Sequence, residues 1–173
     1  IYDILLATLG ELDHPAAVQT LVDESLASDD EEVRRRCVDS LIRLDVSRNI
    51  VPYVKALGSK DNVIVNRAAE ALGMLGDPEA ISPLIDALVT THKYKIEGGN
   101  GMNASFSPSG GGGGFTMGGN GPRIVREAHQ NQAVLQALSR LAGGKDLDYD
   151  ERAWRNWFVS QRASRLVSAR RDD

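Results

Sequence analysis

Leu72-Gly-Met-Leu-Gly-Asp-Pro-Glu-Ala-Ile-Ser-Pro-Leu-Ile-Asp-Ala-Leu88 decides the architecture, because its parts recur earlier in the chain. Asn49-Ile-Val-Pro-Tyr-Val-Lys-Ala-Leu57 aligns with 80–88 at an offset of 31 residues, and Val33-Arg-Arg-Arg-Cys-Val-Asp-Ser-Leu41 aligns with 64–72 at the same offset. A fixed period of this size marks stacked helical hairpins, none of which can bury its apolar face alone. The expected fold is therefore all-α: an α-solenoid of helical hairpins spanning residues 1–173 as a single domain, with repeats at about 1–92 and 127–142.

Capping residues set the helix limits. Asp77 precedes Pro78, a pairing of N-cap and first helical position in which proline's missing N–H costs nothing. Asp30, Asp61 and Asp150 stand in the same relation to the segments that follow them. Helices are expected at 1–12, 15–27, 31–44, 48–58, 62–75, 78–91, 127–141 and 151–169. Within 62–75, Ile64, Ala68, Ala71, Leu72 and Leu75 recur at helical spacing and form the expected buried stripe. Small residues at 68, 69 and 71 let neighbouring helices approach closely. Cys37, the single cysteine, aligns with Ala68 and reads as a small buried hydrophobe.

The pattern Leu-Gly-x-Leu-Gly-Asp-Pro-x-Ala-Ile-x-x-Leu over 72–84, with Val-Arg-x-x-small-x-x-x-Leu over 33–41, resembles HEAT repeats of the short bacterial, phycobilisome-lyase-like type. The resemblance covers 1–91 strongly and 126–142 weakly. It implies an α-solenoid whose second helices line a concave side, and it is nearly silent on activity. Leu9-Gly10 matches Leu72-Gly73, so the chain is expected to open on the second helix of a repeat and to be part of a longer protein.

The third hairpin is interrupted. Gln136-Ala-Leu138 matches Glu70-Ala-Leu72 at an offset of 66, which is 35 residues more than one period of 31. The surplus, about 93–126, holds most of the 17 glycines. Lys93-Tyr-Lys-Ile-Glu97, Asn103-Ala-Ser-Phe-Ser107, Gly114-Phe-Thr-Met117 and Arg123-Ile-Val-Arg126 alternate or carry β-branched residues between glycine turns. The segment reads either as a Gly-rich loop or as a small β-hairpin element. Inserted loops on rigid scaffolds often carry function. Beyond Gly144, Trp154, Trp157 and Phe158 fall on one helical face, expected to seal the open end of the array.

No catalytic motif emerges. The glycine run lacks the Lys-Ser/Thr of a phosphate-binding loop, no Gly-x-Ser-x-Gly elbow occurs, and His14, His92 and His129 have no metal-ligand spacing. Asp146-x-Asp148-x-Asp150 resembles half a calcium loop, but Glu151 and Trp157 stand where glycine and glutamate belong, so a turn and a cap explain these acids. No catalytic, cofactor or metal residues are assigned. Residues 1–90 carry 8 basic and 16 acidic side chains, net −8, which argues against a nucleic-acid groove. No apolar run is long enough to span a membrane.

The function expected is a non-enzymatic scaffold for an unidentified protein partner. The alternative is an enzyme-associated protein of the bilin-lyase-like type that holds a small ligand. The candidate partner-binding residues are Arg36 and Arg67, which occupy equivalent positions and suggest a ladder, together with Tyr94, Phe106 and Phe115 of the insert.

Overall fold

The computed structural model describes residues 8, 14–44, 50–96, 104–105, 116–117 and 123–169. The expected first helix, 1–12, lies outside these residues apart from Thr8, which is helical. Contacts divide the chain into two compact units, 1–90 with 130–173, and 91–129.

The first unit is an array of helical hairpins. Helix α1 (Pro15–Ala27) pairs with α2 (Glu31–Arg43), and α3 (Val51–Ala56) with α4 (Asn62–Leu75). A 3-10 turn (Pro78–Ala80) leads into α5 (Ile81–Asp86), which packs on α6 (Gln132–Leu141). The second helices stack in order, α2 on α4 and α4 on α6. Helix α7 (Glu151–Ala169) closes on α5. This is the all-α solenoid expected of the repeat.

Local chemistry starts each helix where the sequence places it. Oδ1 of Asp30, Asp61 and Asp77 accepts from the N–H of Glu32, Val63 and Glu79 at 2.9, 2.8 and 2.8 Å. His14 fills the same role before Pro15, its Nδ1 accepting from Ala16 N–H at 3.2 Å. Gly76 ends α4 in the left-handed region, φ 75°, which a side chain would resist.

The buried row of α4 is Val65, Ala68, Ala69, Ala71, Leu72 and Gly73, while Ile64 and Leu75 are half-buried. The expected stripe is thus rotated toward Val65, because α4 packs against α1, α2, α3 and α6 together. At Gly73 a Cβ would lie 3.1 Å from Ala137 Cβ, so α4 and α6 approach as closely as backbone permits. Cys37 is fully buried and Ala68 likewise.

The third hairpin departs from expectation at both edges of the insert. Helix α5 ends at Asp86 rather than near 91, and Val89–Ile96 is a strand, β1. Helix α6 begins at Gln132 rather than 127, because Arg123–Gln130 is a strand, β4, paired with β1. His129 accordingly lies on a strand and not at a helix start. Strands β2 (Ala104–Ser105) and β3 (Thr116–Met117) form a second, antiparallel pair, with Ala104 opposite Met117 and Ser105 opposite Thr116. Of the two readings of the insert, the β-hairpin element is the one observed.

A buried polar cluster closes the helical unit where the insert departs. Asn131, 1% exposed, donates from Nδ2 to Ala87 O at 2.9 Å and to Thr90 Oγ1 at 3.1 Å. Its N–H donates to Leu88 O at 3.0 Å. Thr90 Oγ1 donates in turn to Asn62 Oδ1 at 2.8 Å, and Asn66 Oδ1 accepts from Ala133 N–H at 3.3 Å. Buried polar groups are tolerated when they satisfy one another in this way.

At the far end Trp154 is fully buried and its Nε1 donates to Asp148 O at 2.8 Å. Trp157 meets it edge-on, with ring centroids 5.6 Å apart. Asp146 Oδ1 accepts from Asp148 N–H, and Asp150 Oδ1 accepts from Ala153 N–H, both at 2.9 Å. These carboxylates serve a turn and a helix cap.

Candidate functional site

Four helices of the array line a groove of about 390 Å³, α1 through Ser25 alone. Helix α2 contributes Arg34 and Arg35, α4 contributes Arg67, Glu70 and Met74, and α6 contributes Gln136 and Arg140. The small residues Ala71, Gly73, Ala133 and Ala137 lie among them, where the helices come closest. Four arginines and two glutamates, Glu31 and Glu70, line the groove, a local excess of +2 within repeats that are strongly acidic.

The arginines differ in how firmly they are held. Arg67, with only 13% of its side chain exposed, donates from Nη1 to Leu26 O at 3.1 Å and to Ala27 O at 3.0 Å, and from Nη2 to Asp29 Oδ1 at 2.8 Å. Arg34, 14% exposed, donates from Nη1 to Ser28 O and Asp29 O, each at 3.2 Å. Together the two guanidiniums satisfy the carbonyls at the C-terminal end of α1, where cations are favoured. Arg34 Nη2 lies 3.6 Å from Glu70 Oε2, while its Nε is buried without an acceptor. Arg35 is 56% exposed and paired with Glu31 at 3.0 Å. Arg140 is exposed, and its Nη1 is 3.9 Å from the point a Cβ on Gly73 would occupy.

The sequence candidates separate in space. Arg67 is in the groove, but Arg36 is not among its lining residues; Arg36 Nε donates to Glu32 Oε1 on its own helix at 2.9 Å, with 48% of its side chain exposed. Arg67 reaches back to the turn of the preceding hairpin, and Arg36 reaches one turn back along α2 to Glu32. Tyr94 falls on β1, in the other unit. Phe106 and Phe115 lie outside the described residues. Gln136, Met74 and Arg140 were missed by the sequence reading, although the offset of 66 sets Gln136 and Arg140 opposite Glu70 and Met74.

Residues 18–97 match the HEAT-repeat family. Residues 18–97 are HEAT repeats. The hairpins of α1 to α4 fall within that match, and α2 and α4 supply two of the groove's walls. A search of curated proteins finds none that matches this chain. HEAT repeats generally serve as protein-interaction scaffolds. No helix among the described residues is long and apolar enough to cross a membrane.

Two ionisable groups, Cys37 and Tyr53, are buried in the core. Burial, reinforced by Glu24, pushes the Cys37 thiol up to about 11. Burial likewise raises the Tyr53 phenol to about 12 against the opposing hydrogen bond from Ser25, whose Oγ lies 2.8 Å away. The groove offers charge and hydrogen-bond donors fixed on rigid helices, which is the equipment of recognition.

Proposed function

We propose that this HEAT array is a non-catalytic interaction module and that its α2–α4–α6 groove receives a segment of a partner protein. The observation that carries the reading is the groove itself: polar side chains from three successive second helices surround a floor of alanine and glycine. Small floor residues admit a peptide backbone, and the flanking arginines and Gln136 supply donors to it. The helices are held by the core beneath, so little ordering is required on binding.

A photo-reactive amino acid placed at Gln136 or Met74 should give a discrete crosslinked partner in cells that express the full-length protein. The same group at Val51 or Glu79, both away from the groove, should not. Crosslinks arising equally from all four positions, or only from positions in the insert, would transfer the function away from the groove.

A further inference from the structure

The charges in the groove name the chemistry of its occupant. Of its four arginines, Arg67 is committed to α1 carbonyls and Asp29, and Arg35 is half-engaged with Glu31 in an exposed pair. Arg140 is exposed and has no ion pair or hydrogen bond from its guanidinium to any described residue. Arg34 is largely buried and adds its charge to the groove wall rather than a free donor. Glu70 is the nearest carboxylate to Arg34, and at 3.6 Å it makes a loose ion pair. The groove therefore holds more positive donors than its own acids satisfy, a local excess that an acidic occupant meets against the net negative charge of the repeats around it.

We propose that the groove binds an acidic peptide segment of a partner protein, its carboxylates paired by Arg140 and Arg35 and its backbone laid over Ala71, Gly73 and Ala137. This rests on the groove being the partner site. Guanidinium and carboxylate match as planar forks, which favours aspartate and glutamate over isolated polar groups. Glu70 is the built-in competitor, so its charge sets the affinity. Basic segments meet four arginines and are rejected.

A random octapeptide library displayed on phage, panned against the intact chain and against Arg140→Glu, tests this directly. Sequences enriched in Asp and Glu on the intact chain and lost on Arg140→Glu are expected. A synthetic alternating Asp-Ala octapeptide, followed by fluorescence anisotropy, should bind about tenfold more weakly to Arg140→Glu and more tightly to Glu70→Gln. Its affinity should fall as salt rises. Gain from Glu70→Gln cannot arise from misfolding, and unchanged melting of Arg140→Glu, whose side chain is exposed, guards the loss. Enrichment of apolar or basic peptides that still depends on Met74 and Gln136 would overturn the acidic partner and leave the groove as a binding site. Enrichment that ignores every groove substitution would overturn both.

Discussion

Asn131 Nδ2 and Thr90 Oγ1 are 3.1 Å apart, although 41 residues separate them along the chain. The two ends of the insert therefore meet inside the helical unit, and Asn131 binds them with a side chain that would ordinarily cap α6. Replacing Asn131 with Ala should cost about 2–3 kcal/mol, because Ala87 O loses its donor in a buried site. Urea denaturation of the variant checks this; a change under about 0.5 kcal/mol, as for an ordinary surface site, would contradict it.

Because Thr90 and Asn131 already touch, residues 91–129 can be exchanged for a short Gly-Asn-Gly turn. Loop closure changes by only ~0.6 kcal/mol for each doubling of length. The shortened protein should keep its helical circular dichroism and its cooperative melting, with stability equal to or slightly above that of the parent. Failure to fold would show that the array leans on the insert.

Arg67 and Arg36 offer a matched comparison. Arg67→Ala removes three hydrogen bonds from a largely buried guanidinium and should cost about 2 kcal/mol. Arg36→Ala loses an exposed pair within one helix and should cost no more than about 0.5 kcal/mol. Equal losses in thermal unfolding would mean that the α1 carbonyls find other donors.

Trp154 and Trp157 should likewise separate. Trp154→Ala empties a fully buried site and should destabilise by about 3–5 kcal/mol. Trp157→Ala, half-buried, should cost less and leave a blue-shifted emission from Trp154. A larger loss at Trp157 would place the seal of the array on the outer ring.

High pH should weaken the fold. The Cys37 thiol ionises in the unfolded chain at its ordinary value near 9.0, and in the folded chain only near 11. Between those values the unfolded state binds fewer protons, so stability is full below pH 9 and declines as pH rises toward 11. Tyr53 acts in the same sense from 10 toward 12. Melting temperatures measured from pH 8 to 11 should fall, and less steeply in Cys37→Ala. A flat profile would show that neither group is protected by folding.

The helices were legible because their signals are local. Asp30, Asp61 and Asp77 act within two residues of where they stand, and a period of 31 requires no knowledge of contacts. The edges of the insert were not. Glu127-Ala-His-Gln130 suits a helix as well as a strand, and β4 is decided by β1, far away in sequence. The groove was hidden for another reason. Positions equivalent by sequence share the same face of their own helices, as Glu70 and Met74 do with Gln136 and Arg140. Those equivalent positions of α4 and α6 do line the groove together, whereas α2 turns a different face to it and presents Arg34 and Arg35 rather than Arg36. Repetition in sequence finds the stack, but not which face each helix turns to its neighbour.

The clasp between Thr90 and Asn131 also has a mechanical meaning. Tension applied across the helical array would pass through that clasp and the paired strands β1 and β4. Residues 91–129 are thus hidden length: once the clasp and the paired strands open, this segment can extend to roughly 130 Å, at about 3.3–3.6 Å per residue.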